Sequence, residues 1–270
     1  MPEFPTPFLA SVGALFGLLT GSFLNVCIVR LPRDESVIRP RSRCPRCGRM
    51  IEWYDNIPVV SWLLLRGKCR GCGLPISPLY PLVELANGLI WGWMAWRYGL
   101  SLEALRGAVF GTLLLGIALT DAREYIIPDE FSLGGLALGL AFSLAGGWPG
   151  LRAALIGAAV GFGLLWIFGA VGTWLGRRMG MLGGEGQPEE AMGGGDIKMM
   201  AMIGAFLGWP GVFLTVFLGA LSGSLIYVPL NLSGRKLLVP FGVFLALGAA
   251  ITYLAGDALM NLYLRFIGAV

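Results

Sequence analysis

The chain contains no histidine and few charged residues: 20 Lys and Arg and 16 Asp and Glu, or 13% of 270 residues. The lack of histidine excludes Ser-His-Asp and Cys-His nucleophile systems, H-E-x-x-H zinc proteases and histidine-ligated haem. Soluble domains carry about 25% charged residues. With 56% hydrophobic residues and a mean hydropathy of +0.74, this chain cannot cover a globule of its size with polar surface. The composition therefore predicts an integral membrane protein.

Apolar stretches that are long enough, or nearly long enough, to cross a membrane recur along the chain. We predict eight spans, over residues 7–29, 82–96, 107–120, 131–145, 151–175, 197–207, 211–230 and 237–262. The 42 glycines are typical of closely packed membrane helices, because small residues let two backbones approach. The predicted fold is an all-α polytopic membrane protein with about eight transmembrane helices, whose partner is the lipid bilayer and not a nucleic acid.

Positive charge is concentrated in one segment. Residues 30–70 hold ten of the 20 basic residues and four of the 16 acidic residues, so this segment has a net charge of +6 and the remainder −2. Because basic loops stay in the cytoplasm, we predict that the segment is cytoplasmic and that both termini lie outside. The predicted division is a first transmembrane helix over 1–29, a cytoplasmic domain over 30–80 and a membrane domain of about seven helices over 81–270.

Four of the five cysteines form two C-x2-C pairs within this basic segment, Cys44 with Cys47 and Cys69 with Cys72. The spacing is close to that of zinc ribbons, in which four thiolates complete a tetrahedral structural site. We predict a small zinc-ribbon-like domain that binds Zn2+ through all four. Disulfides, unligated thiols and a redox-active dithiol are the alternatives, and a cytoplasmic location argues against disulfides. Cys27, in the first apolar stretch, is expected to be a buried apolar residue.

Two acidic residues occupy helix ends at the predicted membrane boundary. Asp121 ends the third predicted span, and Asp196 opens the sixth after a run of three glycines, Gly193, Gly194 and Gly195. By the predicted topology both lie on the cytoplasmic face, where two close carboxylates would share one proton. Such a pair can activate water for attack on a peptide carbonyl without imidazole. The glycines would let a substrate backbone come close.

Structural roles for these residues stay open at this point. Asp196 also suits a helix N-cap and Asp121 a helix end. Lys198 would bias the proton sharing or contact substrate, while Asp129 and Glu130 suit the N-terminal dipole of the fourth span. An alternative function is a proton-coupled membrane transporter with acidic residues at helix ends, and another is a membrane-anchored zinc module without activity. Neither an internal repeat nor an acid near the middle of a span supports the transporter.

The motifs occur in a characteristic order along the chain. They are Gly21-Ser-Phe-Leu-Asn-Val26 with Arg30-Leu-Pro32, the two cysteine pairs flanking Trp53-Tyr-Asp-Asn-Ile-Pro58, Tyr80-Pro-Leu-Val-Glu84, Asp121 seven residues before Pro128-Asp129, and Gly193-Gly-Gly-Asp196-Ile-Lys198. In these motifs the chain resembles the type IV prepilin leader peptidases, a family of membrane aspartic proteases with a GxGD-type motif that also N-methylate their product. One departure is Arg123, where many members carry a second acid.

The resemblance implies that Asp121 and Asp196 are the catalytic pair of a membrane aspartyl peptidase domain over 81–270. It implies cleavage of the short basic leader of prepilins or type II secretion pseudopilins, after a glycine, at the cytoplasmic face of the bacterial inner membrane. It also implies methylation of the new N-terminus with S-adenosylmethionine as donor. Glu84 and Asn25 are candidate contributors to the donor site, and the four cysteines become the zinc ligands.

A loop before the sixth predicted span carries three acids, Glu185, Glu189 and Glu190. Because the expected leader is basic, we predict that these acids attract it.

Overall fold

The computed structural model describes residues 4–146, 149–184, 189–232 and 239–266. Within these ranges the chain is helical, with two isolated β-bridges and no strand. The helices are α1 (Thr6–Arg30), α2 (Val60–Leu64), α3 (Leu79–Tyr98), α4 (Leu102–Glu124), α5 (Asp129–Leu144), α6 (Leu151–Arg178), α7 (Gly194–Leu232) and α8 (Phe241–Phe266). The all-α prediction is confirmed.

The predicted spans all fall on long helices. Five of these, α1, α4, α6, α7 and α8, are long and apolar enough to cross a membrane. The 20 residues of α3 and the 16 of α5 cover two further predicted spans, although α5 at about 24 Å is shorter than a hydrocarbon core of about 30 Å. α7 covers two spans, because Gly208 (φ 69°, ψ 175°) interrupts it just before Pro210. The chain is a multi-pass membrane protein.

The chain forms two compact units, residues 1–116 and 117–270, whose boundary falls inside α4. The cytoplasmic domain predicted over 30–80 lies in the first unit, and its separate status remains a prediction. The loop cations Arg235 and Lys236, which the predicted topology places inside, and the start of the last predicted span at 237–238 lie outside the described residues.

In the first unit, α1 and α3 pack through glycines that recur every four residues, Gly13, Gly17 and Gly21 on α1 and Gly88 and Gly92 on α3. A Cβ at Gly17 would lie 2.7 Å from the carbonyl oxygen of Asn87, so the two backbones approach too closely for a larger residue. The fully buried Asn87 amide then donates to the carbonyl of Gly17 and to the hydroxyl of Thr20, each at 2.8 Å. Small residues and a buried polar group thus join these two helices.

In the second unit, the first segment of α7 is a fully surrounded helix. Every residue from Met199 to Leu207 is buried, and α6 crosses this segment backbone to backbone. A Cβ on Gly157 would strike the carbonyl oxygen of Gly204, and one on Gly161 would strike that of Met200. Because the two backbones meet at this crossing, the first segment of α7 has little room to move relative to α6.

Candidate active site and metal cluster

Asp121 lies in the last turn of α4 and is only 6% exposed. Its Oδ2 accepts a hydrogen bond from the N–H of Val243 at 3.0 Å, and the N–H of Gly242 is a second donor. Both donors belong to the first turn of α8, where backbone N–H groups have no acceptor within the helix. The positive end of the α8 dipole therefore faces the Asp121 carboxylate.

Asp196 is the third residue of α7, which begins at Gly194, so the N-cap alternative is wrong. Its Oδ1 is buried and has no hydrogen-bond partner among the described residues. Its carboxylate interacts electrostatically with that of Asp121. The structure therefore brings together the two acids that lie 75 positions apart in the sequence.

The three glycines before Asp196 have different surroundings. A Cβ at Gly195 would lie 3.0 Å from the Cβ of Ile127, so this glycine lets the start of α7 pack on the segment after α4. A Cβ at Gly193 would lie 3.3 Å from Asp196 Oδ2, whereas one at Gly194 would meet nothing within 4 Å. Gly193 and Gly194 are exposed, and their role in substrate approach remains a prediction.

The contribution of α8 was not anticipated from the sequence. A Cβ at Gly242 would lie 2.9 Å from Asp121 Oδ2 and 2.8 Å from the Cδ1 of Ile127. The available signal was Pro240 followed by a glycine in the first turn of the last span. That pattern marks a helix start, but it does not reveal which side chain the helix start faces.

Lys198 forms an ion pair with Asp129, with 2.7 Å and 2.9 Å between its Nζ and the two carboxylate oxygens. As predicted, Asp129 and Glu130 occupy the first turn of α5, so the ion pair joins the starts of α5 and α7. Partly exposed pairs of this kind contribute about 1 kcal/mol or less. The predicted influence of Lys198 on proton sharing or substrate remains a prediction.

A cavity of about 680 Å3 lies between the end of α6 and the residues before α7. Arg177, Arg178 and Glu190 line it, and the Arg177 guanidinium donates to the carbonyl of Glu189 at 3.2 Å. The two arginines offset the charge of the acids, which weakens the electrostatic argument for leader binding at this loop. Glu185 lies outside the described residues.

The two cysteine pairs fold as similar turns. The N–H of Gly48 donates to the carbonyl of Cys44, and the N–H of Gly73 donates to that of Cys69, each at 2.9 Å. Both glycines have a positive φ, 72° and 68°. Because other residues rarely adopt this conformation, the glycines allow each turn to direct its two thiols to one side.

The four cysteine Sγ atoms lie within 4.8 Å of one another, and those of Cys44 and Cys72 are 3.9 Å apart. Four sulfurs bound to one zinc ion at about 2.3 Å would be about 3.8 Å apart, so the cluster fits a tetrahedral ion. Hydrogen bonds from the N–H groups of Cys47 and Arg46 lower the pKa of the Cys44 thiol to about 6, which favours the thiolate, whereas the pKa of the neighbouring Cys72 thiol is raised to about 11. No cysteine forms a disulfide, contrary to that alternative, and Cys27 is buried as expected.

Glu84 and Asn25 form hydrogen bonds between elements of the first unit. Glu84 connects α3 to the cysteine segment, defined as residues 31–78 between α1 and α3, and Asn25 connects α1 to the start of α3. Glu84 Oε2 accepts from the N–H of Val59 at 2.7 Å, and the Asn25 amide donates to the carbonyl of Tyr80 at 3.0 Å. Val59 has φ 61° and ψ −49°, which a β-branched residue rarely adopts. Both side chains therefore have a positioning role, and their contribution to a donor site remains a prediction.

Fold and site together define a polytopic membrane protein with a pair of acids at helix ends and a cluster of four cysteines that could hold a metal ion. Residues 15–98 match the bacterial Peptidase A24 N-terminal domain, and residues 108–228 match the type IV leader peptidase family. The chain belongs to the type IV leader peptidase family, as the resemblance predicted.

Proteins called prepilin leader peptidase/N-methyltransferase are similar along most of the chain. That of Neisseria gonorrhoeae is 35% identical, covering 94% of this chain and 93% of the relative. That of Stutzerimonas stutzeri is 37% identical, covering 97% and 98%. That of Myxococcus xanthus is 40% identical over 84% of this chain, which spans 64% of that relative's length. No solved structure matches the chain. With its apolar helices, the chain is a multi-pass inner-membrane protein.

Proposed function

We propose that this chain cleaves the leader peptides of type IV prepilins or type II secretion pseudopilins, with Asp121 and Asp196 as the catalytic carboxylates, and then methylates the new N-terminus. The observation that carries the proposal is the buried Asp196 Oδ1, which has no hydrogen-bond partner in the part of the chain that the structure describes and belongs to a carboxylate that interacts electrostatically with Asp121. Buried polar atoms are normally hydrogen-bonded, so this oxygen suits a reacting water or a substrate group. The matched families and the names of the relatives support this reaction.

The chemistry follows from the proximity of the two carboxylates. Because the two negative charges repel each other, both groups do not ionise at low cost, so one carboxyl group holds a proton while the other is ionised. The ionised carboxylate accepts a proton from water as the water oxygen attacks the scissile carbonyl, and the protonated carboxyl donates to the carbonyl oxygen. The tetrahedral intermediate then breaks its C–N bond as a proton moves to the leaving nitrogen. The products are the leader carboxylate and a new α-amine on the pilin.

The surrounding helices keep the two acids in place. Asp121 is oriented by the start of α8, and Asp196 stands on the buried first segment of α7. Catalytic groups on rigid elements lose little entropy in reaching the reactive geometry. The transporter alternative has no support, since the family matched by residues 108–228 is a peptidase family.

The second activity requires a methyl donor and an ordered cysteine segment. S-adenosylmethionine supplies an electrophilic methyl group when bound. The role of this chain is to hold the new α-amine of the pilin next to that methyl group. The four cysteine thiolates would hold Zn2+, which would cross-link the two turns of the segment. From the +6 charge of residues 30–70, we place the metal cluster and both aspartates on the cytoplasmic side and both termini outside.

The direct test is incubation of the purified protein with a prepilin, with and without S-adenosylmethionine, followed by mass spectrometry. We expect loss of the leader in both samples and a gain of one methyl group only with the donor. An intact precursor in both samples would contradict the peptidase proposal.

Asp121→Asn and Asp196→Asn should each lower the kcat of prepilin cleavage by about 100- to 10,000-fold, because each removes a group that transfers a proton. The matched control is Asp257→Asn, an exposed position on α8, which should cleave at the wild-type rate. Melting temperatures of all three variants check folding. Cleavage near the wild-type rate by either site variant would refute the assignment of the pair.

A further inference from the structure

A second cavity, of about 400 Å3, lies in the first unit between α1 and the cysteine segment. Side chains from the C-terminal half of α1 form one wall, and residues before and between the two cysteine pairs form the other. Its volume falls in the range of about 300–1,000 Å3 typical of sites for small ligands. Nothing in the peptidase chemistry uses it.

Two positively charged side chains line this cavity, those of Arg30 and Arg41. The Arg30 guanidinium donates to the carbonyls of Ser36 and Pro40, each at 2.8 Å. Because both acceptors are neutral, these bonds fix the guanidinium without neutralising its charge. Guanidinium groups in the wall of a cavity suit a ligand carboxylate.

The rest of the wall is aromatic, apolar and weakly polar. Trp53 lines the cavity although 73% of it is exposed, which leaves the ring available to a planar partner. Phe23 and Leu19 add apolar surface, and Asn56 adds an amide. Base–aromatic stacking and cation–π attraction both favour Trp as the partner of a cationic nucleoside.

Glu84 forms hydrogen bonds at both walls of the cavity. Its carboxylate is hydrogen-bonded to the hydroxyl of Ser22, which lines the cavity, and to the N–H of Val59, which follows the cavity residue Pro58. Val59 adopts its unfavourable φ and ψ at this hydrogen bond. Backbone strain of this kind persists where the surrounding structure imposes it, and it is concentrated at ligand sites.

We propose that this cavity is the S-adenosylmethionine site, with the amino-acid carboxylate at Arg30 and Arg41, the adenine on Trp53, and Glu84 as a positioning residue. The inference rests on the proposed methyl transfer and gives that activity a location. The larger cavity beside α6 is less suitable, because the Arg178 guanidinium already covers the Trp174 ring, 4.1 Å from its centroid.

The test is calorimetric titration of S-adenosylmethionine and S-adenosylhomocysteine into the full-length, zinc-loaded protein in detergent. Trp53→Ala and Arg41→Gln should each raise the Kd for both ligands about tenfold. The matched controls are Trp96→Ala and Arg39→Gln, exposed residues that do not line the cavity, and both should keep the wild-type Kd. Zinc content and melting temperature confirm that each variant is folded.

Two results would overturn the site. Wild-type affinity in both cavity variants, with loss of binding in Arg178→Gln, would move the donor to the α6 cavity and leave the proposed methylation intact. A wild-type protein that cleaves prepilin but neither binds nor uses the donor would refute the site together with the methyltransferase activity. The prepilin assay thus separates failure of the site from failure of the proposed function.

The positioning role of Glu84 has its own test. Glu84→Ala removes the acceptor for Val59 and should raise the KM for S-adenosylmethionine by about tenfold, while Glu84→Gln keeps an acceptor oxygen and should restore most of the affinity. A purely structural role would lower the melting temperature without separating KM from kcat. Equal KM values in the two variants and the wild type would contradict the positioning role.

Discussion

The position of one carboxylate depends on a residue 121 positions away, Gly242. The atoms nearest to a Cβ at this position are the ends of two side chains, those of Asp121 and Ile127. Side-chain ends can move more easily than backbone, so an added methyl group would shift the Asp121 carboxylate instead of unfolding the helix. A small displacement of a catalytic group is costly, because the reactive geometry tolerates little error.

Gly242→Ala should therefore lower the kcat of prepilin cleavage by about 10- to 100-fold, with little change in melting temperature. The control is Gly134→Ala on α5, where a Cβ would meet nothing within 4 Å. Rates are measured with a purified prepilin at saturating concentration. A Gly242→Ala enzyme as fast as the control would show that this contact does not position the carboxylate.

At the scale of helices, two glycines four residues apart on α6, Gly157 and Gly161, meet the backbone of α7 near Gly204 and Met200. Lipid chains and apolar side chains are equally apolar, so close backbone packing takes the place of the hydrophobic effect in joining membrane helices. This crossing fixes the buried segment of α7 that carries Asp196 at its start.

Gly161→Ala should lower the melting temperature, because the added methyl group meets the carbonyl of Met200 and overpacking costs about 1–3 kcal/mol. Gly163→Ala, two residues away with no atom within 4 Å of the added Cβ, should leave the melting temperature unchanged or raise it, since Ala favours the helix. Thermal unfolding in one detergent compares the two. Equal melting temperatures would rule out the close crossing.

At the scale of the whole molecule, the cysteine cluster belongs to the first unit and the acidic pair to the second. Two chemistries in one chain are thus built from separate sets of residues. Removal of one set should therefore affect one activity more than the other.

Cys44→Ser should lower zinc content and reduce methylation more than cleavage, because an incomplete thiolate set binds the metal weakly. Cys27→Ala, which alters the buried cysteine outside the cluster, should keep the zinc. Metal analysis and the two product yields are measured on the same preparations. A fully reduced wild-type protein without zinc would remove the metal assignment.

Sequence patterns were sufficient wherever a feature is local or repeats along one helix. The spans, the interruption of α7 between residues 207 and 211 and the four-cysteine cluster were all predicted, because each depends on hydropathy, glycine or short spacing. The proximity of Asp121 and Asp196 was predicted only through the shared membrane face. The pairing of Lys198 with Asp129 and of Glu84 with Val59 was not, since helix periodicity does not specify which helix is the neighbour.

The sequence by itself determined that the chain lies in a bilayer and which groups are available for its chemistry. A charged fraction of 13% is too low to cover a soluble protein of this size, and without histidine the available groups are thiolates and carboxylates. The tertiary structure alone decided the partners of those groups. It placed the start of α8 against Asp121 and left Asp196 Oδ1 buried, with no hydrogen-bond partner among the residues that the structure describes. The physical reason is that, among apolar helices, neighbours are selected by the fit of glycine surfaces, and that fit exists only between folded segments.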